Sequence, residues 1–189
     1  SKSQGKLVII SGPSGVGKST ICKQVVEQLN AYLSVSVTTR PQSESEQNGR
    51  EYVFMSREEF EAKIQNNEFM EYSEVFGNYY GTPKAPVDEA VASGRIVILE
   101  IDVQGGLQVK KARPQAEMVF ILPPQKKDLK SRIEGRGRGE DAKSKQRRLE
   151  TAEQEIAAAW QHYDHLVVND DLEQAIGEVI EIIDGKLKG

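Results

Sequence analysis

The chain has 189 residues, 38% hydrophobic, 29% charged and 6% aromatic, with a net charge of −4; this fits one globular domain with a hydrophilic surface and excludes collagenous, mucin-like and largely disordered chains. No apolar run approaches the roughly 18 residues that span a bilayer, the single cysteine excludes an intrachain disulfide framework, and two histidines are too few for a His/Cys zinc site of the usual kind. Charge is unevenly spread: residues 126–148 hold ten Lys/Arg against four Asp/Glu, a local +6 that leaves −10 elsewhere, which excludes a uniformly basic nucleic-acid binder but not a cationic segment facing one polyanionic ligand.

In chain order, the β-branched run LVII (7–10) is followed at once by SGPSGVGKST, after which Ile21, Cys22, Val25, Val26 and Leu29 recur at helical spacing. That order predicts strand, phosphate-type loop, helix. LSVSV (33–37) alternates like a strand. The stretch 38–94 then carries a polar loop PQSESEQNGRE, a strand YVFMS, a helix opened by the capping-box pattern Ser56-Arg57-Glu58-Glu59, and an aromatic turn FGNYYG. RIVILEI (95–101) and EMVFIL (117–122) read as strands buried on both faces, as in parallel sheets covered by helices. A helix over about 143–163 places Leu149, Ala152, Ile156, Ala159, Trp160 and Tyr163 on one face, HLVV (165–168) is a short strand, and a last helix over about 171–187 repeats the pattern with Leu172, Ile176, Val179, Ile180 and Ile183. Alternating strands and helices predict a doubly wound parallel sheet whose ligands bind beyond the strands' carboxyl ends, with 38–94 as an inserted small subdomain.

Residues 12–19, GPSGVGKS, satisfy G-x-x-x-x-G-K-[ST] between a predicted strand and helix. The glycines let successive N–H groups point at phosphate oxygens, Lys18 would reach the β- and γ-phosphates, and the Ser19 hydroxyl would bind Mg²⁺. The motif is shared by GTPases, motors, transporters and small-molecule kinases, so the second substrate must be read elsewhere. Arg40 lies near the carboxyl end of the 33–37 strand, where a guanidinium could grip a phosphate bidentately. Glu71 can accept the paired donors of a guanine edge, which adenine lacks. Glu100 and Asp102 close a buried strand, where a carboxylate faces the ligand crevice and needs a partner or a metal.

Nearly the whole chain resembles the guanylate kinases of the nucleoside-monophosphate kinase class. The blocks that carry the resemblance, in collinear order, are LVIISGPSGVGKST, SVSVTTR, NNEFMEYSEVFGNYYGTP, ILEIDVQG, LKSRIEGRG, RRLETAEQEI and VVNDDLEQA. The resemblance implies a P-loop NTPase core with a five-stranded parallel sheet, an inserted GMP-binding α+β subdomain and a lid. It implies one domain over 1–189, with core segments 1–37, 95–125 and 164–189, the GMP-binding subdomain at about 38–94 and the lid at about 126–148, followed by the long helix. It implies ATP bound by Gly12, Pro13, Ser14, Gly15, Val16, Gly17, Lys18, Ser19, Thr20, Arg132, Arg136 and Asn169, the last near the adenine. GMP would be surrounded by Ser36, Arg40, Tyr52, Glu71, Tyr80, Thr82, Glu100 and Asp102, with Tyr52 and Arg40 on its phosphate and Glu71 on its base. Relatives often have a second arginine three residues after the first; here Ser43 occupies that place, so weaker GMP binding is expected unless Arg50 or another residue substitutes. Glu100 stands where some relatives carry Asp.

The activity implied is MgATP + GMP giving ADP + GDP, with dGMP as a further acceptor, in purine nucleotide metabolism. Lys18, Arg40, Arg136 and Arg148 would supply the catalytic field, with Mg²⁺ on Ser19 and Asp102 as an outer-shell helper. No general base is required, because the attacking phosphate oxygen is already ionised. Two alternatives keep the same architecture: a phosphopeptide-binding module that has lost ATP use, and a kinase for a baseless sugar phosphate. The intact phosphate loop argues against the first and the set Glu71, Tyr80 and Thr82 against the second. Cys22 reads as a small packed residue, Trp160 as helix packing, and His162 and His165 carry no assigned chemistry. No nucleic-acid or membrane partner is expected, and the N-terminal SKSQGKLVIISG lacks a signal peptide's apolar region, so the expected location is the cytoplasm.

Overall fold

The computed structural model describes residues 4–124 and 141–186. A parallel sheet forms the core, from β1 (Lys6–Ser11), β2 (Tyr32–Leu33), β7 (Ile96–Glu100), β8 (Glu117–Leu122) and β9 (His165–Val168), in the spatial order β2-β7-β1-β8-β9. β1 is central and fully buried at Val8, Ile9 and Ile10, and the strand's alternation divides these residues between two layers. Val8 and Ile10 face α1 (Lys18–Leu29) and the last helix, α6 (Leu172–Ile183), meeting Ile21, Cys22, Val25, Ile176 and Val179. Ile9 faces the opposite layer, where Val87 of α3 (Lys84–Ala92) and Val109 of α4 (Val103–Ala112) cover it. The long helix α5 (Ala142–His162) packs Ala159 against Val103 and Phe120. Both faces of the sheet are therefore dry, which is why its strands read as unbroken apolar runs.

A second, smaller sheet has the order β4-β3-β6-β5, from β3 (Val37–Thr38), β4 (Val53–Phe54), β5 (Phe69–Val75) and β6 (Asn78–Pro83). β5 and β6 form an antiparallel hairpin whose tip turns at Phe76 and Gly77, both at positive φ. The capping box on α2 (Arg57–Gln65) is formed: Ser56 Oγ accepts from the Glu59 amide at 3.1 Å and Glu59 Oε2 from the Ser56 amide at 2.8 Å. The helix anchors this sheet through Phe60, which is fully buried and stacks on Phe69 (centroids 4.3 Å apart) and Tyr79 (4.9 Å). Stacked aromatic pairs add about 0.5–1.5 kcal/mol each beyond their buried area.

Three sequence expectations change. LSVSV is not one strand: Tyr32–Leu33 pairs with β7 in the core sheet, and Val37–Thr38 belongs to the second sheet, pairing with β4 and β6. The chain leaves the core edge where the Ser34 amide donates to the Ile98 carbonyl at 3.0 Å. The crossing delivers Ser36 between the two sheets. YVFMS contributes only Val53–Phe54 to pairing. Trp160 does not pack: it is 69% exposed, because the inward stripe of α5 runs through Ala152, Ile156 and Ala159. No described helix is long and apolar enough to cross a membrane.

Candidate active site

The phosphate loop turns from β1 into α1 through Gly15 (φ +84°) and Gly17 (φ +91°), conformations that favour glycine. No side chain caps α1, so its first-turn N–H groups and the positive end of its dipole stay available to an anion. A Cβ on Gly12 would lie 2.8 Å from the Ile121 carbonyl oxygen, so the loop rests on β8 more closely than a larger residue allows. Lys18 folds back over the loop and donates from Nζ to the Gly12 carbonyl at 3.3 Å. Arg148, on α5, donates from Nη2 to Ser14 Oγ at 2.7 Å, which brings two cations and the loop amides to one place. The loop residues from Gly12 to Thr20, including Pro13 and Val16, line a cavity of 340 Å³.

Next to it lies a cavity of 210 Å³ lined by Lys18, Ser36, Tyr52, Glu71, Tyr80, Glu100 and Asp102. Tyr52 and Glu100 line both cavities, and also a third, of 650 Å³, between α1 and the 46–52 loop. Glu71 is 4% exposed; Oε1 accepts from the fully buried Thr82 hydroxyl at 2.7 Å, while Oε2 has no partner. Burial raises its carboxyl from 4.5 to about 7, with the Thr82 bond opposing and the Asp102 charge adding to the rise. A buried carboxylate oxygen without a partner is costly, and a donor arriving in the cavity would relieve that cost. Burial first, then the neighbouring Tyr80 and Glu100, also raises the Tyr52 hydroxyl, so it stays a neutral donor.

Asp102 caps α4: Oδ1 accepts from the Gly105 amide at 2.9 Å, and the Ser73 hydroxyl donates to Oδ1 and Oδ2 at 3.4 and 3.3 Å. Glu100 Oε1 accepts from the Ser19 hydroxyl at 2.6 Å, so it is Glu100 that touches Ser19. Arg40 stands behind Tyr52, its guanidinium 5.4 Å from that ring's centroid, and pairs with Glu46. Asn169 is 7% exposed and donates from Nδ2 to the Val16 carbonyl at 2.8 Å, bracing the loop from beneath. Arg132 and Arg136 lie outside the described residues. Among the described residues no group of three or more His, Cys, Asp or Glu is placed to hold a metal ion.

Several site residues escape sequence reasoning. Ser73 lines the 210 Å³ cavity beside Asp102, and the alternation of β5 is the only signal that could place it on Glu71's face. Glu155 lines the phosphate-loop cavity. Burial raises its carboxyl to about 7, with Lys18 pulling it down and Asp102 pushing it up. Gly105 approaches Glu71 so closely that a Cβ would stand 2.4 Å from Oε2. Glu46 pairs with Arg40 from six residues away in a loop whose composition reads only as polar. Arg50, the candidate replacement for the missing arginine, pairs with its neighbour Glu51.

A family model described as guanylate kinase matches residues 4–186. The chain is 47% identical over 180 residues to the guanylate kinase of Clostridium acetobutylicum, covering 95% of this chain and 85% of that protein. It is 45% identical over 187 residues to the guanylate kinase of Fusobacterium nucleatum subsp. nucleatum, covering 98% and 100%. The crystal structure of the guanylate kinase from Anaplasma phagocytophilum matches with a TM-score of 0.82 at 33% identity, covering 98% of this chain and 87% of that one. A gluconokinase from Sinorhizobium meliloti 1021 is only 12% identical at a TM-score of 0.52, covering 97% and 94%, and shares the fold alone.

Proposed function

The chain belongs to the guanylate kinase family, and on that premise we propose how its own residues divide the work of the reaction. The activity is ATP-dependent phosphorylation of GMP: the γ-phosphorus forms a bond to a GMP phosphate oxygen as its bond to the β-phosphate oxygen breaks, leaving ADP and GDP. Two polyanions must approach in line, so the catalytic task is positioning and neutralisation of charge. The loop amides, Lys18 and Arg148 hold the ATP phosphates, and Asn169 keeps the loop in shape through Val16. Arg132 and Arg136, which lie outside the described residues, would add positive charge to the same phosphates. The second sheet, which begins at Val37, and its flanking segments to about residue 94 form the GMP-binding subdomain, inserted between the core strands β2 and β7.

The observation that carries the acceptor assignment is the unpartnered Glu71 Oε2. An ionised Glu71 can accept the N1–H and 2-amino donors of guanine together, whereas an adenine edge offers no such pair. Tyr52, Tyr80 and Arg40 take the acceptor phosphate, Ser36 and Thr82 complete the base side, and Glu100 and Asp102 face the ribose and the phosphates. dGMP presents the same base and phosphate and is an acceptor too. Mg²⁺ fits the residues present: Ser19 Oγ lies 2.6 Å from Glu100 Oε1, and hydroxyl and carboxylate oxygens are the hard donors that Mg²⁺ takes alongside phosphates and water. Ser19 would hold the ion with Asp102 in an outer position, and when bound it neutralises charge on the β- and γ-oxygens. The working location is the cytoplasm, where these nucleotides are.

Glu71→Gln tests the base assignment, because the amide keeps one acceptor and turns a donor toward a donor edge. GMP-over-AMP discrimination should fall by at least about tenfold. Unchanged discrimination would remove Glu71 from base reading.

A further inference from the structure

Glu46 holds the guanidinium of Arg40 by one whole edge. Arg40 Nη2 donates to Glu46 Oε1 at 2.6 Å and Nη1 to Oε2 at 3.1 Å, and the second Nη1 hydrogen is used by the Pro41 carbonyl at 3.0 Å. Arginine has five N–H groups; the Nε–H and the other Nη2–H, which point the same way, lie outside this pair. They form a second fork, of the geometry that suits a phosphate. The plane of the guanidinium is fixed as well, lying over Tyr52 at 5.4 Å and Phe54 at 5.7 Å.

The carboxylate of Glu46 is itself built in. Its Oε2 accepts from the Ser43 amide and from the Ser43 hydroxyl, each at 2.9 Å, and its backbone carbonyl accepts from Gln42 Nε2 at 2.7 Å. A phosphate that displaced Glu46 from Arg40 would strip both guanidinium bonds from the carboxylate, leaving Oε1 bare while Ser43 still holds Oε2 in place. The cheaper arrangement keeps Glu46 in place and adds the phosphate at the Nε/Nη2 fork, with Tyr80, which also interacts with the Arg40 guanidinium, beside it. Four charge-assisted hydrogen bonds hold the carboxyl down to about 2, so Glu46 stays anionic throughout the neutral range.

We propose that Glu46, braced by Ser43, is a positioning residue for the acceptor phosphate: it occupies the Nη1/Nη2 edge of Arg40 so that the Nε/Nη2 edge is presented to GMP. Ser43 thereby contributes to GMP binding through Glu46, although it carries no charge of its own. The inference rests on the assignment of Arg40 to the acceptor phosphate.

Steady-state kinetics of the full chain with GMP and ATP varied separately, for Arg40→Met, Glu46→Ala and the double variant, test it. Glu46→Ala should raise KM for GMP roughly tenfold, leaving kcat within about threefold and KM for ATP unchanged; the unchanged ATP side shows that the fold and the phosphate loop survive. In the Arg40→Met background, Glu46→Ala should add nothing to KM for GMP, because there is no guanidinium left to orient. A fall in KM for GMP with Glu46→Ala would mean that the carboxylate competes with the phosphate, and a full additional rise in the Arg40→Met background would mean that it acts elsewhere. Either result overturns the inference, as does a rise with Arg40→Met and none with Glu46→Ala. An unchanged KM with Arg40→Met would overturn the assignment of Arg40 itself, and this inference with it.

Discussion

Thr82 holds one oxygen of Glu71 and leaves the other bare: the hydroxyl donates to Oε1 at 2.7 Å, and Oε2 is buried with no partner. Burial in the ligand-free protein makes this carboxyl hold its proton up to about pH 7, whereas guanine binding needs it ionised.

That tension gives a pH dependence of stability. A carboxyl raised from 4.5 to about 7 by burial supports the folded state most below its unfolded value, and this support is lost as pH rises through about 7. In Glu71→Gln the titration is absent. The difference in unfolding free energy between variant and wild type, from urea denaturation, should move in the variant's favour by up to about 3 kcal/mol between pH 5 and pH 8. Glu155, raised to the same range, is common to both proteins and cancels. A difference that does not change with pH would show that Glu71 is not ionising in a buried site.

Gly105→Ala should act on GMP alone. The new Cβ would stand 2.4 Å from Glu71 Oε2, and the end of a flexible side chain gives way more easily than helix backbone. Displacement of the carboxylate should raise KM for GMP by about tenfold or more with KM for ATP near wild type. Equal effects on both substrates would point to a general distortion of α4.

Lys18→Ala should lower kcat by about 10²–10³-fold, the scale expected for removing one preorganised charge from a site of developing negative charge. Among the described residues its side chain donates to the Gly12 carbonyl alone, so thermal unfolding should shift by only a few degrees. Normal turnover in a folded Lys18→Ala protein would contradict the phosphoryl-transfer role of the loop.

Asn169→Ala removes the buried hydrogen bond from the Asn169 amide to the Val16 carbonyl, a loss of about 0.5–1.5 kcal/mol. Loss of that brace should raise KM for ATP while KM for GMP stays close to wild type. Calorimetry and kinetics on the same preparation check both parts.

Much of this arrangement is legible in the sequence where local chemistry and fold agree. β1, β7, β8 and β9 show as apolar runs because helices cover both faces, the Ser56 box starts α2, and G-x-x-x-x-G-K-S sits between strand and helix. Strands of two residues leave no periodicity to read, so the passage of 32–38 from one sheet to the other looked like a single strand. Trp160 was misplaced because a helical repeat identifies a stripe but not which of its edges meets the core. Glu46, Gly105 and Glu155 were invisible for a different reason: each matters through a contact made by tertiary structure, with Arg40, Glu71 and the phosphate-loop cavity.

The most direct measurement is ADP release from MgATP by the purified chain with GMP, dGMP, AMP, UMP or a baseless sugar phosphate as acceptor, with the phosphorylated product identified by chromatography. Saturable turnover with GMP is expected, weaker or equal turnover with dGMP, and rates lower by at least about 10²-fold with the others, because a buried acceptor pair then meets a base that cannot satisfy it. Comparable turnover with AMP, or ADP release without GDP, would contradict the assignment of GMP as acceptor.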